Sequence, residues 1–137
     1  MRCFYAPETR AHDPQFRLTH GRVVTNAERA ERATLLQEGL GRLGLTTETP
    51  PEAPRAALEA VHTARFLDFL ETGWQAWQKL PNAGPEVVPN AFPRVPYASY
   101  PEAVTARAGW HMSDTSAPIG PESWTATRRA ADCGVAA

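Results

Sequence analysis

Across residues 65–79 the apolar side chains Phe66, Leu67, Leu70, Trp74 and Trp77 recur at three- and four-residue spacing. They predict an amphipathic helix whose stripe is broad enough to pack against a sheet. Pro81 ends it, and six of the 13 prolines then fall between Pro81 and Pro101. Each proline removes a backbone donor and fixes φ, so neither a helix interior nor a central strand accepts that spacing. The chain must leave the helix as an extended excursion. Two tryptophans on one helical face also require a second layer to cover them, and this demand constrains the fold more than any other feature.

The remaining segments supply that layer only in part. Residues 3–6 are short, apolar and aromatic and read as an opening buried strand, whereas residues 8–26 mix charges with Pro14, Gly21 and two histidines and read as a long loop. Loops of that length inside a domain often rim a binding site. Thr25-Asn26-Ala27-Glu28 offers capping residues for a helix carrying Ala33, Leu36, Leu40 and Leu43, with Gly44 as its C-terminal stop. Pro54 suits the first turn of a short helix bearing Leu58 and Val61, and Thr63 stands where it could cap the next. Gly109-Trp110-His111-Met112 reads as a short strand, and Pro121-Glu122 opens a final alanine-rich helix with Trp124 on its inner side. One strand, several helices and no second strong strand leave the tryptophan stripe without its sheet. With a final Gly-Val-Ala-Ala and no charged finish after Asp132, this mismatch predicts a piece of a larger domain.

Charge narrows the function classes. Fourteen basic and 15 acidic residues give a net charge of −1 without a run of either sign, which offers nucleic acid or an anionic membrane no electrostatic handle. The opening residues lack an apolar stretch of signal-peptide or membrane-span length, so a cytoplasmic location is expected by default. Cys3 and Cys133 stand near opposite ends without CxxC spacing and read as reduced, small core residues.

Individual residue groups are weak pointers to chemistry. His12, Asp13 and His20 are metal-ligand types within one loop, but no metalloprotein spacing supports them over an ordinary exposed loop. His111, Asp114 and Ser116 are triad types, yet three residues within six positions do not form the relay order easily. Gly39, Gly41 and Gly44 lie in or at the end of a helix with no Gly-Lys-Ser/Thr, which argues against a phosphate loop. Trp74 and Trp77 read as core, and His62 as a buried histidine bonded to backbone.

The ordered pattern is more informative than any single group. The run from Val61 through His62, Phe66, Leu67, Phe69, Leu70 and Glu71 to Trp74 resembles the VH…(Y/F)L.FLE..W helix of acetylpolyamine amidohydrolases. Glu28-Arg29-Ala30-Glu31-Arg32 is similar to the first helix start of these enzymes and of histone deacetylases. His12-Asp13-Pro14 with Gly21-Arg22-Val23-Val24 resembles their first loop, and Pro85-Glu86-Val87-Val88-Pro89 with the segment from Gly109 to Trp124 resembles the long second loop and following helix entry.

The resemblance implies an α/β fold, the amino-terminal part of a three-layer arginase-deacetylase domain with a parallel sheet flanked by helices, mostly helix and loop in this span. Its parts are a strand and first rim loop over 1–26, helices over 27–80, a proline-rich second loop over 81–108, and a strand and truncated helix over 109–137. It also implies a zinc-dependent hydrolysis of acetylpolyamine or acetyl-lysine amides that releases acetate. The zinc ligands, paired histidines and oxyanion tyrosine of that chemistry have no counterpart here: no two histidines are adjacent, no Asp-x-His occurs, and Tyr5, Tyr97 and Tyr100 stand too early. Catalytic and metal residues are therefore expected to be absent from this chain. What carries over is a substrate-channel rim of Thr19, His20, Glu102, Asp114 and Ser116, and a homodimer loop over 79–100. The alternatives are a non-catalytic truncated protein or small interaction module using the proline-rich loop, and a metal-binding module on His12, Asp13 and His20.

Overall fold

A computed structural model describes residues 2–93 and 99–137. Tyr97 and its neighbours 94–98, in the middle of the proline-rich excursion and of the expected dimer loop, lie outside the described residues. The chain divides into two compact units. One comprises Met1–Asp13, Glu28–Thr63 and Glu122–Ala137, the other Pro14–Ala27 and Ala64–Pro121.

In the first unit the expected opening strand is reduced to one parallel bridge between Phe4 and Glu48. Tyr5 N–H donates to the Glu48 carbonyl at 3.0 Å, and Glu48 N–H to the Cys3 carbonyl at 2.8 Å. A 3-10 helix over Pro7–Ala11 follows, then helices α1 (Glu31–Arg42), α2 (Arg55–Glu59) and, at the end of the chain, α5 (Ser123–Ala136). Helix α1 starts later than the capping motif predicts. Asn26 is used elsewhere, and Asp13 Oδ1 instead accepts the Ala30 amide at 3.3 Å, where an acceptor relieves the exposed first turn. At the other end Gly44 does stop the helix, with a φ of 68°. Its N–H donates to Gly41 and Leu45 N–H to Leu40, both at 3.0 Å, which is the Schellman pattern. Pro54 precedes α2 in extended conformation, and Leu58 is buried while Val61 is exposed. His62 is exposed as well, not buried, because it follows α2 beyond its buried face.

Helix α5 packs on the 3-10 helix, where Arg129 pairs with Glu8 at 3.8 Å, and is tied to the backbone at Ala53. Asp132 is fully buried and accepts from the Ala53 amide at 2.9 Å and from Arg128 and Arg129, while Arg128 also donates to the Ala53 carbonyl. A buried carboxylate is tolerated only with such partners. Burial pushes its carboxyl up, but the Ala53 amide and the two guanidiniums outweigh that and hold it below the usual carboxylate range.

The second unit contains the tryptophan helix, α3 (Ala64–Trp77), the eight-residue α4 (Val104–His111), and a hairpin of β1 (Phe16–Thr19) and β2 (Arg22–Thr25). Phe69 of α3, Val87, Ala108 of α4 and Ile119 form the core, with Leu70, Trp74, Trp77, Val104 and Met112 packed around it. Burying the larger of these side chains is worth roughly 1.5–3 kcal/mol each. Val87 and Ile119 join through a pair of backbone hydrogen bonds of 2.8 and 3.1 Å, so part of the extended excursion is stitched across the core. The Trp74 indole donates to the Pro85 carbonyl at 2.9 Å, which turns the chain back after Pro81.

Two expectations are corrected in this unit. Residues 109–111, with Met112 as the cap, are the end of α4 and not a strand. Val104, Ala108 and Met112 stand four apart and all meet the core, so a helical face satisfies them where a strand would turn alternate residues away. The first loop likewise contains the β1–β2 hairpin rather than unbroken coil.

Candidate functional site

The hairpin is built from two short β-branched and apolar runs, Phe-Arg-Leu-Thr and Arg-Val-Val-Thr, separated by two residues. Its register pairs Phe16 with Thr25, Arg17 with Val24, Leu18 with Val23 and Thr19 with Arg22. His20 and Gly21 make the turn with φ values of 50° and 74°. Positive φ at both central residues gives a turn whose twist matches the strands; glycine tolerates it freely, and histidine is among the non-glycine residues that do so more often.

Three hydrogen bonds fix this hairpin to Thr115 and Ser116, and a fourth braces Asn26 against its first strand. Leu18 N–H donates to the Thr115 carbonyl at 3.3 Å, and Thr115 Oγ1 donates to the Leu18 carbonyl at 3.2 Å. The buried Asn26 carboxamide donates to both the Phe16 and the Ser116 carbonyls at 3.1 Å. Asp114 Oδ1 accepts the Ser116 amide at 2.7 Å, which shapes the receiving turn. At the hairpin base, the Gln15 amide donates to the buried Glu86 Oε1 at 3.1 Å.

Thr19, His20, Asp114 and Ser116 are thus carried on two segments that the fold joins directly. Thr19 and Thr115 are half-buried, whereas His20, Asp114 and Ser116 are exposed. Glu102 is also exposed but stands before α4, with no described hydrogen bond to the hairpin. These side chains form a polar, hydrogen-bonding edge able to contact a solute, without a nucleophile–base pair. The hydrogen bonds of the triad-type residues run from His111 to Tyr100 and from the Ser116 amide to Asp114, not along a serine–histidine–aspartate relay.

The loop residues of metal-ligand type are occupied otherwise. His12 Nδ1 is 2.9 Å from Ser123 Oγ, and Asp13 caps α1. Among the described residues no three His, Cys, Asp or Glu side chains are grouped to hold a metal ion.

Sequence reasoning missed one cluster altogether. Tyr100 Oη lies 2.9 Å from His111 Nε2, and His111 stacks on Phe69 with ring centroids 5.0 Å apart. Arg65 and Arg107 each lie over the Tyr100 ring, at 4.9 and 5.4 Å. Burial lowers the His111 pKa, and Arg107 and Arg65 lower it further, which favours the neutral ring that joins Tyr100, at the end of the second loop, to α4. The signal was the four-residue repeat Tyr100, Val104, Ala108 running into His111, which only the helix makes meaningful.

No family model matches the chain. An acetylpolyamine amidohydrolase of Burkholderia pseudomallei is 32% identical over 138 residues, covering all of this chain and 40% of the relative. Acetylpolyamine amidohydrolase 2 of Pseudomonas aeruginosa is 25% identical over 96% of the chain, and that of Mycoplana ramosa 26% over 92%. The crystal structure of the Burkholderia pseudomallei acetylpolyamine aminohydrolase superposes on the whole chain with a TM-score of 0.94 at 31% identity, over 40% of its own length. The chain belongs to the histone deacetylase and acetylpolyamine amidohydrolase superfamily. It has the fold of an amino-terminal portion of that deacetylase domain. It spans about 40% of the length of the curated relatives it matches. Its described residues supply helices, the β1–β2 hairpin and a parallel bridge of Phe4 with Glu48. Among the described residues no helix is long and apolar enough to cross a membrane.

Proposed function

We propose that this chain provides one wall of the substrate channel of a zinc-dependent deacetylase that hydrolyses the acetamide of acetylated polyamines or acetyl-lysine and releases acetate. The observation that carries the reading is the structural match of the whole chain to 40% of an acetylpolyamine aminohydrolase, combined with a hairpin fixed to Thr115 and Ser116 through Leu18 and Asn26. The zinc and the residues that perform the chemistry belong to sequence outside this span. The contribution of this chain is positional: Thr19, His20, Asp114 and Ser116 line an edge held rigid by backbone hydrogen bonds, and rigid placement lowers the entropic cost of orienting a flexible amine. Glu102 and Asp114 supply the negative charge that a cationic amine would favour. Residues 79–100 carry a homodimer contact in the same reading, with Phe92 about half exposed in that loop. A cytoplasmic setting fits the cytosolic amines such an enzyme would use.

The test uses this chain joined to the carboxy-terminal remainder of the Burkholderia relative. Replacing Asp114 by Asn should raise KM for an acetylated polyamine while leaving KM for a neutral acetyl-lysine peptide nearly unchanged. Metal removal should abolish acetate release, with zinc restoring it. Equal KM values before and after substitution at Asp114, Glu102 and His20 would remove the channel-wall reading.

A further inference from the structure

Helix α4 is bound along its length by the chain that leads into it. Arg107 Nε donates to the Pro101 carbonyl at 2.9 Å, the Tyr100 ring meets Trp110 edge to face at 5.4 Å, and Tyr100 Oη bonds His111 Nε2. Tyr100 and Pro101 therefore lie alongside the helix that they precede, whose eight residues span about 12 Å. The tyrosine–histidine bond ties the end of the second loop to the last turn of that helix. His111 is half-buried, and its ring also lies against Phe66 and Phe69 of α3, at 5.9 and 5.0 Å. One imidazole thus joins the second loop, α3 and α4, all within one unit.

The charged and titratable groups that face this ring are Arg65 from α3, Arg107 from α4 and the Tyr100 hydroxyl from the second loop. Among the described residues no carboxylate bonds to it. Beside two guanidiniums the phenol is the better donor, which makes Nε2 the acceptor and places the single imidazole proton on Nδ1. A solvent proton taken up at Nε2 removes that acceptor and adds a third positive charge to a partly desolvated group of cations. The last turn of α4 has little room to absorb the change. Gly109 meets Ala91 backbone to backbone, and Met112 is packed on the core. Two residues further on, Asp114 begins the segment whose Thr115 and Ser116 bond Leu18 and Asn26 of the hairpin.

We propose that Tyr100 and His111 are positioning residues for the rim segment 114–116, and that a proton on His111 undoes their bond and loosens that segment. The inference deepens the channel-wall reading and rests on it for the effect on substrate. Above the ordinary histidine value near 6.5 the neutral ring holds the loop. The hold is lost as pH falls through the lower value that burial, Arg107 and Arg65 impose in the folded chain. The rim is ordered where His111 is neutral and relaxed in acid, so affinity for an acetylated amine falls with pH before the fold does.

Histidine-ring NMR and residue-by-residue amide exchange of the 137-residue chain, from about pH 7 to about pH 4, test this, with the His111 signal assigned through its ring contact with Phe69. Corrected for the intrinsic rate, exchange of the Leu18 amide, which donates to Thr115, should rise at least about tenfold with the midpoint of the His111 ring. The Val87 amide, bonded to Ile119 in the core, should keep its protection, which general acid unfolding would remove. His111→Gln retains an acceptor that takes no proton, so Leu18 should stay protected across the range. Tyr100→Phe should leave Leu18 poorly protected throughout. Should a variant misfold, the coincident midpoints and the retained Val87 protection of the unsubstituted chain carry the test. In the joined protein, KM for an acetylated polyamine should rise several-fold through the same midpoint, and that step should be missing from His111→Gln. Leu18 protection that ignores the His111 midpoint, a step that persists in His111→Gln, or equal loss at Val87 would each overturn the inference. Acetate release is scored separately: an inactive joined protein that shows the Leu18 step counts against the deacetylase reading alone, and an active one without it against the positioning role alone.

Discussion

Gly109 shows how tightly a single residue can be specified. A Cβ built there would lie 1.5 Å from the Ala91 carbonyl oxygen, so α4 and the second loop touch backbone to backbone. Gly109→Ala must push them apart, and overpacking of this kind costs about 1–3 kcal/mol, readable as a lower urea midpoint. In the other unit, Asp132 is held by the Ala53 amide and two arginines at zero exposure. Asp132→Ala leaves Arg128 and Arg129 with only the more distant Glu52 and Glu8, at 3.5 and 3.8 Å, and should cost roughly 3 kcal/mol at pH 7. The sign of its pH dependence follows from its lowered pKa. The carboxylate contributes stability above the ordinary value near 3.8, and that contribution is lost as pH falls through the folded-state value. Urea unfolding of wild-type and Asp132→Asn chains at pH 7 and pH 3 should therefore show a difference that shrinks in acid.

At the scale of elements, the hairpin depends on one side chain outside it. Asn26→Ala removes both carboxamide bonds to the Phe16 and Ser116 carbonyls and should cost about 1–3 kcal/mol, with faster amide exchange at Leu18. The helices were legible in the sequence where the signal is local: the α3 stripe, the Gly44 stop and Pro54 before α2 each act through neighbouring residues. Asn26 was misread because its best partners are 10 and 90 residues away, and a cap motif says nothing about distant carbonyls. The hairpin was overlooked although Thr19-His20-Gly21-Arg22 carries a two-residue turn, since His-Gly is a weaker signal than Asn-Gly. Likewise Gly109 and Trp110 suggested a strand only because the Val104, Ala108, Met112 repeat begins before them.

For the whole molecule, the sequence pattern indicated a tryptophan-bearing helix in need of a sheet, and the structure shows that need met in part by Val87 and Ile119 within its own unit. The parallel sheet implied by the family is represented here by one bridge, Phe4 with Glu48. Thr19, His20, Asp114 and Ser116 were singled out through resemblance, but the joining of the two segments that carry them was not legible, because it depends on bonds between segments nearly 100 residues apart in sequence. The proposed division between a channel wall in this chain and a reaction centre elsewhere concerns the whole domain. Acetate release from an acetylated polyamine, measured for the 137-residue chain and for the chain joined to the remainder of the Burkholderia relative, tests that division directly. The chain should release none and the joined protein should release acetate in a zinc-dependent manner. A folded, zinc-loaded joined protein without activity, or release by the chain on its own, would contradict it.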